Sequence, residues 1–404
     1  MPRPHALLAL LILAGLAGCR NGGTPPASLP VTGDPAAVQA IPSERIELEV
    51  SERVTGLAHP WALAFLPDGG YLVTEKVGNL RRVAPDGRVS APIQGLPKLY
   101  VSGQSGLLDV VLSPDFAQDG WVYLSFAQPN FRGNLAGTAV ARGRLEGDAL
   151  TGVEVIYSQE PKLSSGTHVG SRLVFDGQGH LFVTQGDNRV GMAESQQLDK
   201  LQGKLVRILP DSGIPADNPF VGRADARPEI WSYGHRNMQG AALHPQTGQL
   251  WTSEHGPKGG DELNVPAPGL NYGWPVVTHG IDYTGLPISG SVGKAAPGME
   301  PPHHVWMVSP GLSGMAFYTG DLLPQWRGNL FLGALASREL IRLELEGDRV
   351  VHEERLLGVR GERIRDVRQG PDGALYLLVD DPNNGKVLRV APRAAVRPRQ
   401  EPAR

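Results

Sequence analysis

The chain has 404 residues, with 52 glycines, 35 prolines, one cysteine and a formal net charge of −3. The sequence shows no three-residue glycine period, no sustained heptad and no series of apolar stretches of about 20 residues, which excludes collagen, long coiled coils and polytopic helical membrane proteins. The near-neutral balance lacks the basic surplus of a nucleic-acid binder, which leaves a turn-rich globular chain.

The N-terminus is expected to be a lipoprotein-type signal peptide over residues 1–18. Arg3 supplies positive charge, residues 6–16 form a short apolar run, and Leu16-Ala17-Gly18-Cys19 places small residues before a cysteine. Cys19 is therefore the lipidation candidate, the alternative being an ordinary signal peptide with Cys19 merely nearby. Arg20 follows the cysteine where bacterial inner-membrane retention uses Asp. This points to a periplasmic location, anchored by lipid to the outer membrane of a Gram-negative source. The single cysteine rules out an intramolecular disulfide. Residues 19–44, rich in Pro, Gly and small side chains, read as a flexible tether, and 393–404 as a disordered tail.

Between these ends one unit recurs six times: an apolar run, a Pro-Asp-Gly-like turn and a second apolar or aromatic run. The copies begin at Trp61, Leu107, Ser171, Gln239, Ser313 and Ile364, as in WALAFLPDGGYLVTEK and IRDVRQGPDGALYLLVDD. Asp-Gly turns suit tight antiparallel hairpins, and one hairpin cannot bury both faces alone. Radial repetition solves this. The expected fold is all-β, a six-bladed β-propeller of four-stranded antiparallel blades over residues 45–392. Its ligand belongs at the axial mouth, so site residues should be scattered, each just outside a repeat.

The candidate clusters sit there. Gly103-Gln104-Ser105-Gly106 precedes the second copy, and Thr167-His168-Val169-Gly170 the third. Gly234-His235-Arg236-Asn237-Met238-Gln239 leads into the fourth, and Arg363-Ile364-Arg365 into the sixth. Arg236, Arg363 and Arg365 can grip carboxylates in planar pairs. Gln104, Asn237 and Gln239 offer neutral hydrogen bonds, and His168 is the natural proton acceptor near neutral pH. SEHGPKGGDELN, from Ser253, offers carbonyls and carboxylates suited to Ca²⁺.

With GHRNMQG, SEHGPKGGDELN, NYGWP, GQSGLLDVVLSPDF and RIRDV in this order, the sequence resembles the soluble pyrroloquinoline quinone (PQQ)-dependent aldose dehydrogenases, the glucose/sorbosone dehydrogenase family. The resemblance runs from about Val54 to Val390. It implies PQQ and Ca²⁺ as cofactors and an aldose as substrate, oxidised at C1 to the lactone, with electrons passing to an external quinone or cytochrome. By the same resemblance His168 is the catalytic base and Arg236 stabilises charge on the quinone. Asn237, Gln104, Gln239, Arg363 and Arg365 bind the cofactor, and Gln104, His168 and Trp306 meet the sugar. Gly256 and Pro257 hold the catalytic Ca²⁺, while Glu262, Tyr272 and Asp282 form a second site. One departure stands out: Ala336 occupies a position where the family usually has a cofactor-contacting lysine, with Arg338 two residues on. Two other readings compete, a Ca²⁺-dependent lactonase-like propeller and a non-catalytic glycan- or protein-binding one.

Overall fold

The computed structural model describes residues 38–394. The signal segment, Cys19, most of the expected tether and residues 395–404 lie outside them.

Six antiparallel sheets follow one another along the chain. Their first strands are Pro60–Phe65, Leu107–Leu112, Leu173–Phe175, Met238–Leu243, Leu312–Phe317 and Ile364–Gln369. Each packs against the first strand of its neighbours, so these strands ring the axis of a six-bladed propeller. The second strands are Tyr71–Glu75, Trp121–Pro129, Leu181–Thr184, Leu250–Glu254, Leu330–Ala334 and Leu375–Val379. The six sequence copies fall on these pairs, and the Asp-Gly turns are their hairpins.

Blades two to five have four strands. Blade one has three, with Val83 bridging Val89 beyond them. Blade six has five, because Leu48–Leu57 pairs with Gly385–Pro392 and Val38–Ile41 adds outside it. The last blade thus joins both ends of the described chain and closes the ring without a free inner edge. Val38–Ile41 falls inside the segment expected as tether. Only Ile41 of its four residues is buried, so this strand carries almost no apolar pattern.

The apolar core is divided six ways, one cluster per blade interface. Trp326 and Phe331 fill the gap between blades five and six, and Trp251 fills that between four and five. Phe126 packs between one and two, and Phe182 between three and four. Each such side chain contributes about 1.5–3 kcal/mol by leaving water.

Near the axis a polar device repeats. In five blades the pairing of the first strand with the second shifts register near its start. In blades one to three a hydroxyl on the second strand accepts a backbone N–H of its own blade and donates to a carbonyl of the next. Thr74 accepts from Ala62 (3.0 Å) and donates to Leu108 (2.5 Å). Ser125 accepts from Asp109 (2.9 Å) and donates to Ser171 (2.7 Å). Thr184 accepts from Arg172 (2.8 Å) and donates to Met238 (3.1 Å). Ser253 donates to Ser313 (3.2 Å). Blade five has Gly333 on its second strand, and Ser313 on the first strand donates to Ile364 instead (2.7 Å). A Cβ on Gly333 would meet the Ser313 hydroxyl at 2.5 Å.

Below the mouth the axis is filled by charge. Arg172, fully buried and stacked on Trp61 at 4.1 Å, pairs with Asp109 (3.3 Å) and Asp366 (3.0 Å). Arg368 pairs with the same two carboxylates, each at 2.8 Å. Opposite charges so placed offset one another's desolvation.

The latches predict a measurable cost. Thr184→Val keeps shape but strands the Arg172 N–H and the Met238 carbonyl. It should lower unfolding free energy by about 1–3 kcal/mol in chemical denaturation, and an unchanged midpoint would show that the latch is dispensable.

Candidate active site

In an antiparallel pair the start of one strand lies beside the end of the next. The mouth is therefore built from two sets of residues, those just before each first strand and those just after each second strand. The first set holds His59, Gln104, His168, Arg236, Asn237, Gly311 and Arg363. The second holds Lys76, Asp187, His255, Gly256, Ala336 and Asp380. Members of both sets enclose a cavity of about 470 Å³. Trp61, Gln239 and Arg365 are residues that the strand pairing skips at its register shifts, and all three line the cavity. Shifts of this kind re-aim side chains beside functional sites.

Of the predicted residues, Gln104, Gln239, Arg363 and Arg365 line this cavity. Arg365 donates to Gln239 Oε1 (2.6 Å) and pairs with Asp380 at 3.2 Å. Arg363 donates to the Leu335 carbonyl (2.9 Å) and pairs with Asp380 at 3.4 Å. His59 Nδ1 meets Asp380 at 2.7 Å. Burial alone would raise the Asp380 carboxyl, but Arg365, His59 and Arg363 outweigh it and hold it well below the usual carboxylate range.

His168 sits beside Gln104, whose Oε1 accepts its backbone N–H at 2.8 Å. Its backbone lies in the left-handed region at φ 49°, a strained conformation typical of functional positions. A Cβ on Gly186 would stand 1.9 Å from the His168 carbonyl, so only glycine permits this approach. His168 Nδ1 lies 2.7 Å from Asp187 Oδ1. Asp187 also accepts the Arg189 N–H (2.7 Å) and the Trp274 indole N–H (2.8 Å). Surrounded by donors, this carboxylate accepts the hydrogen bond of Nδ1–H, which leaves Nε2 as a lone-pair acceptor. Burial pulls the imidazole below its ordinary 6.5, with Arg236 adding to the effect and Asp187 opposing it. His168 is thus an oriented imidazole whose neutral form burial favours.

Arg236 is buried against Trp274 (5.2 Å) and donates to the carbonyls of His255 (3.0 Å) and Gly256 (2.6 Å). Its backbone N–H donates to Glu254 (2.7 Å). Asn237 Oδ1 accepts from Gly170 at 3.1 Å. Arg236 Nε and Asn237 Nδ2 are buried donors without a partner among the described residues. At the far ends of the same first strands lies a second hollow, of about 480 Å³, lined mostly by side chains such as Phe65, Phe175 and Phe317. No His, Asp or Glu is among its lining residues.

The profile of the glucose/sorbosone dehydrogenases matches residues 57–389. The chain belongs to this family. It is 51% identical over 340 residues to the aldose sugar dehydrogenase YliI of Escherichia coli K12, covering 83% of this chain and 91% of that one. A crystal structure of a glucose dehydrogenase superposes with a TM-score of 0.83 at 56% identity, covering 86% and 99% of the two chains. The PQQ-bound aldose sugar dehydrogenase of Streptomyces coelicolor superposes at 0.71 with 27% identity, covering 86% and 100%. The protein is a sugar dehydrogenase, an oxidoreductase.

The remaining predicted residues of the dehydrogenase divide. Gly256, Pro257, Glu262 and Tyr272 line a small cavity of about 10 Å³ beside Arg236 and Glu254. Asp282 is not among them. It is half-buried and accepts from the backbone and hydroxyl of Thr284 in its own turn (2.8 and 2.7 Å). Trp306 also stands apart from the main cavity: it is buried in the outer strand His304–Trp306 and donates to Glu353 at 2.7 Å. Ala336 lines the main cavity, whereas Arg338 donates to the Gly361 carbonyl at 3.2 Å. The axial carboxylates that a lactonase-like metal site would need are bound to Arg172 and Arg368.

Four residues of the mouth escaped the sequence reading: His59, Lys76, Asp187 and Asp380. Their signal lies in the repeat itself. Lys76 and Asp380 each directly follow a second strand, Asp187 follows one by three residues, and His59 precedes a first strand.

Proposed function

We propose that this dehydrogenase oxidises aldoses at C1 to the lactone, using PQQ, with His168 as general base and a separate quinone or cytochrome as electron acceptor. The observation that carries this is the Asp187-held His168, bound through its backbone to Gln104 of a large cavity lined by cations. Two features support PQQ as the occupant. Lys76, Arg363 and Arg365 suit a polycarboxylate, and the orphan donors of Arg236 and Asn237 suit an oxygen-rich ring. When bound, PQQ supplies the hydride acceptor. The chain supplies the rest. Arg363 and Arg365 bind carboxylate and fix orientation, and His168 Nε2 takes the proton of the anomeric hydroxyl. Asp187 stabilises the resulting imidazolium, and Gln104 holds the His168 backbone in register.

We also infer a Ca²⁺ ion beside Glu262. Burial and then the charge of Glu254 push the Glu262 carboxyl up to about 8, a crowding that a divalent cation relieves. Glu262, Pro257 and Tyr272 fit such an ion. The Gly256 carbonyl already accepts from Arg236, and Asp282 is directed into its own turn, so neither is needed. The ion would supply positive charge next to the cofactor cavity. Export with lipidation at Cys19 is inferred from the apolar run and Leu-Ala-Gly-Cys. Intact mass of the membrane-extracted protein should show acyl additions at Cys19, and an unmodified chain still carrying residues 1–18 would contradict it.

Apo-protein given PQQ and Ca²⁺ should reduce an artificial dye with glucose or another aldose, and should not do so without PQQ. His168→Ala should lower kcat by about 10²–10⁴. Because only neutral His168 accepts a proton and burial lowers its pKa from 6.5, kcat/KM should fall on acidification with an apparent midpoint below 6.5. Near-wild-type turnover in His168→Ala would place the base elsewhere.

A further inference from the structure

Lys76 is the first residue after the second strand of blade one and lines the mouth cavity. It is half-buried. Its backbone is fixed on both sides, the N–H donating to the His59 carbonyl (2.9 Å) and the carbonyl accepting from Leu107 (3.2 Å). Its ammonium donates to the Gly103 carbonyl at 2.7 Å. An ammonium carries three donors, so two remain.

The lining charges are unequally matched. Arg363, Arg365 and His59 all share Asp380. Lys76 forms no ion pair with a carboxylate among the described residues. Burial lowers the pKa of its ammonium, Asp380 opposes this, and the positive charges of Arg365 and Arg363 add to the lowering. A cation held among cations, with spare donors turned to a polar cavity, is stabilised by an anion arriving there. Leu335, in the corresponding position of blade five, and Ala336 after it bring no charge to the same cavity.

We propose that Lys76 is a cofactor-binding residue whose ammonium takes one carboxylate of the polyanionic quinone held in this cavity. The inference rests on the PQQ reading given above and adds to it a third cation, supplied by blade one. With Arg363 and Arg365 sharing Asp380, Lys76 is the lining cation whose charge is fully available to the ligand.

The test is direct binding to the full-length apo-protein in the presence of Ca²⁺, with PQQ titrated and tryptophan fluorescence read, since Trp61 lines the cavity. Lys76→Met should raise the Kd for PQQ by about tenfold or more, the loss of one charge-assisted hydrogen bond. Lys76→Gln gives the same test should the Met variant not fold. A Kd equal to that of the wild type in a folded variant would overturn the assignment while leaving the cofactor reading intact. Failure of the wild-type protein itself to bind PQQ would overturn the cofactor reading, and this assignment with it.

Discussion

The hydroxyl latches that tie blades one to five each to the next set what the rest of the structure can do. A register shift frees backbone N–H groups near the axis, where an unpaired donor costs about 1–3 kcal/mol. Thr74 and Ser125 answer that cost in blades one and two, and together with Thr184, Ser253 and Ser313 they tie blades one to five each to the next. With the shift made tolerable, the skipped residues leave the ladder. Trp61, Gln239 and Arg365 reach the cavity by this route. The same local irregularity therefore holds the ring together and furnishes the site.

Electrostatics then separates the two mouths. Four paired charges, Asp109, Arg172, Asp366 and Arg368, occupy the axis between them. On one side lies the mostly apolar hollow around Phe65, Phe175 and Phe317. On the other, Lys76, Arg363 and Arg365 face the cavity, with Asp380 binding the arginines and His59. His168 is kept neutral by burial and oriented by Asp187, which is itself anchored by Trp274 from blade four. The imidazole is thus positioned by contacts between blades, and its geometry depends on their packing.

Much of this was legible in the amino-acid sequence, for local reasons. Asp-Gly turns between apolar runs encode hairpins within a few residues, so six copies announced six blades. His168, Arg236 and Arg363 adjoin those copies and could be found by position. Several residues that follow second strands could not, because a strand's end is set by its neighbours rather than by its own side chains. Lys76, Asp187 and Asp380 lie there. Trp306 resembled a mouth residue but is drawn into an outer strand by pairing with Asp261. Asp282, grouped with Glu262 by resemblance, satisfies itself with Thr284. Val38–Ile41 shows the limit from the other side: an exposed edge strand needs little apolar pattern when its partner supplies the ladder.

The most direct test of the account is a crystal structure of the protein saturated with PQQ and Ca²⁺. The account predicts the quinone in the cavity at the polar mouth, its carboxylates against Lys76, Arg363 and Arg365 and its ring within reach of His168. A quinone bound in the opposite hollow among Phe65, Phe175 and Phe317, or a polar mouth that stays empty at saturation, would contradict it.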